Sequence, residues 1–124
     1  DSPARALFRK NLAPPVEPKD PGYPFLAYVT FAYEPRDASG MPTSADANEL
    51  TRVEQEEISL LESEGLAVLV GVVLKGGIKD FIFYTRDIDE FRFRSRRLIE
   101  KHHRLRAEYS TKEDPAWSQY EDLP

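Results

Sequence analysis

An α+β sandwich is the fold class that the periodic segments of this chain predict. Three observations carry the prediction. Between Phe25 and Ser110 the segments run strand, helix, strand, strand, helix, strand. The two middle strands are separated by Gly76-Gly77, the two positions of a tight hairpin turn. Each helical segment carries one apolar stripe, which suits helices laid on one face of a sheet.

Composition narrows the class. A chain of 124 residues with 40% hydrophobic and 31% charged content builds one globular domain. No apolar run approaches the ~20 residues of a membrane span, so no membrane association is expected. There is no cysteine, which removes disulfides and thiolate chemistry and fits a reducing, cytoplasmic setting. The chain begins at Asp1 without methionine, so either a leader has been removed or it is an excised segment. A net charge of -5 argues against nucleic acid as a partner, because phosphate binding wants a basic footprint.

The elements follow in order. Residues 1–24 hold six prolines and read as extended loop, with a short edge strand over 6–12. Residues 25–33 alternate as a strand, Phe25, Val29, Phe31 and Tyr33 on one face, Leu26, Tyr28 and Thr30 on the other. A helix starts at Thr43 or Ser44, with Thr43 and Asp46 as a capping pair and Leu50, Val53, Ile58 and Leu61 as its stripe. Glu57 sits mid-stripe by angle, either a buried carboxylate or one reaching the edge. Gly65 stops the helix.

Residues 66–75 are apolar on both faces, as in a strand covered on both sides. After the hairpin, residues 78–85 put Phe81 and Phe83 on one face and Ile82 and Tyr84 on the other. Asp87 with Glu90 caps a second helix, whose stripe is Ile88, Phe91, Ser95, Leu98, Ile99 and His102. Residues 104–110 make the last strand. This is the ferredoxin-like βαββαβ plan, a four-stranded sheet with two helices on one face. Residues 25–110 form that domain, 1–24 precede it, and 111–124 are a tail packing on it. The 25–33 and 78–85 strands are expected at the centre, paired in parallel. The helix-free face would still show Leu26, Tyr28, Leu69, Val73, Ile82 and Tyr84. Something must cover it: the proline-rich segment, the Trp117 tail or a partner.

Chemistry-bearing motifs are sparse. Adjacent helical residues point about 100° apart, so His102-His103 do not readily share a metal, and no second His/Cys cluster exists. No serine sits in a nucleophile elbow, and no carboxylates pair recognisably. No catalytic residue, metal or cofactor is expected. Charge is uneven: residues 46–64 carry seven acids and one base, residues 91–106 seven bases and one acid. Either the two helices present solvated faces of opposite sign, or the basic one docks an acidic partner. Phe93 lies about 140° from Ile88 around the helix, opposite the stripe. An exposed ring among Arg92, Arg94, Arg96 and Arg97 has the composition of an interface anchor. A second candidate combines Tyr84, Arg86, Trp117 and Tyr120. Arg86 at a helix start suits an anion and the aromatic pair suits a flat ligand, though a solvated arginine and packed rings account for the same residues.

Leu12-Ala13-Pro14, Tyr23-Pro24, Gly40-Met41-Pro42, Val68-Leu69-Val70-Gly71, Phe83-Tyr84-Thr85-Arg86-Asp87 and Asp114-Pro115-Ala116-Trp117-Ser118-Gln119-Tyr120 run collinearly over roughly residues 3–120. Together they resemble a bacterial family, domain of unknown function 695. In that family an aromatic-rich strand usually precedes the Pro3 region, so the resemblance implies a chain that starts late. The family has no established activity, so the resemblance implies no catalytic residues. The closing element is also similar to one in proteins akin to ribonuclease E regulator B, a small acidic inhibitor, which implies a protein-binding regulator; the basic second helix departs from that pattern. The sequence thus predicts a non-catalytic regulatory or interaction module, bound to a protein partner or to itself. The alternative is a small-ligand binder or enzyme with its site near Arg86 and Trp117.

Overall fold

The structure, a computed structural model, describes residues 5–102 and 104–124. Pro3 and His103 lie outside the described residues. Five strands form one open antiparallel sheet: β1 Ala6–Lys10, β2 Phe25–Ala32, β3 Ala67–Lys75, β4 Ile78–Thr85 and β5 Arg106–Glu113, in the order β1-β3-β4-β2-β5. Helix α1, Ser44–Val53, continues through a π-helical turn, Glu54–Ile58, into α2, Ser59–Glu62; α3 spans Ile88–Lys101, and a short α4, Ser118–Asp122, lies in the tail. The expected four-stranded ferredoxin-like sheet is one strand too narrow. β1 lies antiparallel against β3, with Phe8 opposite Val73, and makes the fifth strand.

β2 and β4 are neighbours inside the sheet, but the parallel pairing expected of them is corrected. They run antiparallel, Phe25 opposite Thr85 and Ala32 opposite Ile78. The hairpin is the reason. The helical crossover returns β3 in the direction of β2, and Gly76-Gly77 (φ 55° and 91°) then reverses the chain, so β4 opposes both. The last strand also starts later and runs further than its alternation suggested, from Arg106 to Glu113.

Both helix starts are capped as the sequence predicts. Thr43 Oγ1 accepts the Asp46 N–H at 3.2 Å, and Asp87 Oδ1 accepts the Glu90 N–H at 3.1 Å. Leu50, Val53, Ile58 and Leu61 are all buried. A continuous α-helix would swing Ile58 about 140° away from Val53. The π turn absorbs one residue and brings Ile58 back under the stripe. The same shift carries Glu57 from mid-stripe to the edge, beside Lys101 and His102.

The sheet carries a core on each face. Under the helices, Val29, Phe31, Phe81 and Phe83 meet Leu50, Ile58, Leu61, Phe91 and Leu98. On the other face, Leu26, Val68, Val70, Val73, Ile82 and Tyr84 meet Trp117, Tyr120 and Leu123 of the tail, with Val16 and Tyr23 of the N-terminal segment alongside. The tail and the proline-rich segment together cover the helix-free face. Leu69 is not on it, contrary to the alternation. Leu69 opposes Phe83 while Gly71 opposes Ile82, so Val70 is the extra residue of a β-bulge. The bulge resets the period and turns Leu69 toward the helices. Among the described residues no helix is long and apolar enough to cross a membrane.

Candidate functional site

The four residues of the basic-helix candidate do not share one surface. Phe93 and Arg97 face α2, and the Arg97 guanidinium stands over the Phe93 ring at 5.7 Å. Arg92 and Arg96 face β5. Arg92 donates to Thr111 Oγ1 at 3.0 Å and Arg96 to Tyr109 Oη at 3.3 Å. These partners are neutral hydroxyls. Among the described residues, Arg92, Arg96 and Arg97 have no carboxylate within ion-pair distance.

Arg94, between them in sequence, is consumed internally. It donates to the Leu60 and Ser63 carbonyls at 3.1 and 3.0 Å and pairs with Glu90 and Glu64 at 2.9 and 3.0 Å. It serves as the C-cap of α2, satisfying carbonyls that the helix end leaves open.

Between α2 and α3 lies a groove of about 390 Å³. Phe93, 53% exposed, stands on one bank and Leu60, 49% exposed, on the other. Leu61 and Leu98 line it between them, and Arg97 and Lys101 stand on its α3 side. Its three acids, Glu57, Glu64 and Glu90, equal its three bases, Arg94, Arg97 and Lys101; Arg94 pairs with both Glu64 and Glu90, and Lys101 stands 3.9 Å from Glu57. The groove is therefore balanced in charge, and the arginines with no carboxylate partner among the described residues are Arg97 on its α3 side and Arg92 and Arg96 toward β5. Sequence reasoning found Phe93 and missed Leu60, which adjoins the stripe residue Leu61.

The second candidate separates into two parts. Arg86 donates from Nε to the Gly65 carbonyl at 3.0 Å and from Nη2 to the Glu64 carbonyl at 3.2 Å. It ties down the left-handed Glu64-Gly65 stop (φ 61° and 70°) and is not aimed at a vacant anion site. Tyr84, Trp117 and Tyr120 do come together. Trp117 stacks on Tyr84 at 4.2 Å between centroids, and Tyr120 meets Trp117 edge-on at 5.6 Å. All three are buried.

Their polar atoms are also satisfied. Trp117 Nε1 donates to the Tyr23 carbonyl at 2.9 Å, Tyr120 Oη to the Asn11 carbonyl at 2.7 Å, and Tyr84 Oη to Asp114 Oδ2 at 2.6 Å. Asp114 accepts as well from the backbone N–H groups of Ser118 and Gln119. Burial raises the Asp114 pKa, but these hydrogen bonds from Tyr84, Gln119 and Ser118 outweigh it and hold the carboxyl below its ordinary range. Burial, and then the bond to Asp114, push the Tyr84 hydroxyl far up. The closing Asp-Pro-Ala-Trp-Ser-Gln-Tyr element is thus a lock for the sheet's second face.

His102 is nearly buried at the end of α3. Its Nε2 lies 3.4 Å from Glu57 Oε1 and its Nδ1 4.0 Å from Glu49 Oε2. No group of three His, Cys, Asp or Glu able to hold a metal occurs among the described residues.

A family model, "Family of unknown function (DUF695)", matches residues 3–123, and the chain belongs to that family. No curated protein and no solved structure matches it.

Proposed function

We propose that this domain is a non-catalytic, regulatory protein-interaction module, and that the α2–α3 groove with the neighbouring arginines receives an acidic protein partner. The observation that carries this reading is the pairing of two exposed apolar side chains, Leu60 and Phe93, across a groove beside three arginines, Arg92, Arg96 and Arg97, that no described carboxylate pairs. Aromatic and arginine side chains at a desolvated centre are the usual anchors of protein interfaces. Arg97 supplies charge in the groove; Arg92 and Arg96 extend it toward β5. The net charge of -5 leaves this face as a local exception, which favours an acidic protein over nucleic acid. The reading takes residues 25–110 as a ferredoxin-like unit, widened by β1 and closed by the tail, working in a bacterial cytoplasm. A regulator akin to the ribonuclease E inhibitors fits the closing element; an acidic-mimic mechanism does not fit the arginines of α3. The small-ligand alternative at Tyr84, Arg86, Trp117 and Tyr120 draws no comparable support, since the three rings pack on one another and the polar atoms of all four bond other groups of the fold.

The test is affinity capture with the whole chain, repeated with Phe93→Ala and Arg97→Glu. The expected outcome is one acidic protein held by the parent and lost by both variants, with weaker retention as salt rises. Retention of every partner by both variants would leave this face a solvated surface. Tight binding of duplex or single strands with a steep salt slope would move the reading to nucleic acid.

A further inference from the structure

We propose that Arg92 and Arg96 of α3, with Tyr109 and Thr111 of β5, form a binding site for a phosphate monoester dianion. The carrier of that group, a segment of the protein partner, rests on the function proposed above; the site itself does not.

Matched repeats build the site. Arg92 and Arg96 stand one helical turn apart, about 6 Å along the axis. Tyr109 and Thr111 stand two residues apart on the helix side of β5, a step of about 6–7 Å. The two repeats agree, so each arginine finds its own hydroxyl: Arg92 donates to Thr111 Oγ1 at 3.0 Å and Arg96 to Tyr109 Oη at 3.3 Å. Each bond engages one Nη2 and leaves the rest of the guanidinium fork free to donate, and both arginines are exposed.

The kind of partner decides what is left for a ligand. An arginine paired with carboxylates has its charge neutralised, as Arg94 has. An arginine tethered by a neutral hydroxyl is positioned but keeps its charge. Carboxylates are within reach along the chain: Asp89 one turn before Arg92, Glu100 one turn after Arg96, and Glu113 two residues beyond Thr111. None of them pairs with either arginine, and Glu100 acts on Arg96 only through space. Two like charges are therefore held side by side, and an anion between them relieves their repulsion.

The arrangement also selects among anions. A carboxylate has two oxygens and a single charge, and it fills one fork. A phosphodiester, as in nucleic acid, likewise offers two free oxygens and a single charge. A phosphate monoester has three terminal oxygens and close to a double charge at neutral pH, so it serves both forks at once. Guanidiniums on a repeat of about 6 Å, each about 2.8 Å from an anion oxygen, leave room for one tetrahedral group between them. The hydroxyls of Tyr109 and Thr111 accept from the arginines and keep their own protons, which they can donate to the same oxygens.

Titration of the isotope-labelled chain, followed at its arginine Nε–H signals, tests the proposal. Three ligands are compared: inorganic phosphate, a short peptide with one phosphoserine, and the same peptide with glutamate in that place. The phosphoserine peptide is expected to move the Arg92 and Arg96 signals along a saturating curve, with the glutamate peptide about tenfold weaker. Saturation by inorganic phosphate as well would support a site that reads the phosphoryl group alone; saturation by the phosphopeptide only would support one that also reads its carrier. Arg92→Gln and Arg96→Gln should each weaken the phosphopeptide about tenfold. Arg106→Gln, which removes the same charge from the opposite face of β5, should not. The capture experiment above reads Phe93 and Arg97 and this titration reads neither, so each proposal can fail alone. Equal binding of the glutamate peptide, an equal loss in Arg106→Gln, or no saturating shift at Arg92 and Arg96 up to about 10 mM phosphopeptide would overturn the proposal.

Discussion

Trp117 holds a left-handed backbone conformation, φ 55°, that a bulky side chain rarely adopts, and it is fully buried. The strain is of order 1–3 kcal/mol, and the ring offsets it by filling the space over Tyr84. Trp117→Ala is therefore expected to lower stability by about 3–5 kcal/mol, read from denaturant unfolding. A melting curve unchanged by this substitution would detach the tail from the fold. Ser95 offers the opposite case. Its hydroxyl is buried under α3 with no hydrogen-bond partner among the described residues. Ser95→Ala removes an unsatisfied group and should raise stability by about 1 kcal/mol. Asp114 adds a pH dependence. Its folded pKa is depressed, so its contribution is fully present above the unfolded value of 3.8 and is lost as pH falls through the lower folded value. In urea titrations the stability gap between parent and Asp114→Asn should be widest near neutral pH and narrow only at strongly acid pH. A gap that widens on acidification would contradict the geometry at Tyr84.

What could be read of each element depended on whether its signal was local. The Gly76-Gly77 turn and the caps Thr43 and Asp87 act within a few residues, and the sequence shows them directly. The bulge at Val70 was not legible, because residues 66–74 are apolar on both faces and period 2 then has no phase to lose. The π turn was not legible: Leu50, Val53, Ile58 and Leu61 stand at i, i+3, i+8 and i+11, a spacing that a continuous α-helix also places on one side. Removing one residue inside the turn restores α-helical spacing. Deleting the exposed Gln55 should thus leave the fold intact and the melting temperature within about 4 °C, roughly 1 kcal/mol for a chain of this size. Loss of cooperative unfolding in that deletion would show that the turn does more than absorb a residue. The capping roles of Arg86 and Arg94 were hidden for another reason. Their carbonyl partners lie 21 and 34 positions away, at Gly65 and Leu60. Arg94→Ala should cost about 1–2 kcal/mol of stability, whereas Arg97→Ala should leave stability unchanged and weaken only partner capture.

At the scale of the molecule, one sheet serves two cores, and they close by different routes. The helix side is assembled from neighbours in the chain: a strand, its crossover helix and a hairpin. The other side waits for the tail, because Trp117 and Tyr120 reach back across 94 and 109 positions to Tyr23 and Asn11. Ending the chain after Glu113 should leave Leu26, Val68, Ile82 and Tyr84 bare, seen as strong binding of a hydrophobic dye and loss of a sharp melting transition. Unaltered dye binding would mean that the proline-rich segment seals the face by itself. The order of these contacts also sets a schedule for synthesis. A ribosome delivers all five strands and helices α1 to α3 before it delivers Trp117, so the nascent chain carries a finished layer with an oily underside. During that interval the Tyr84 face is a site for chaperones to hold or for a neighbouring nascent chain to invade, and emergence of the Trp117 codon's product ends the exposure.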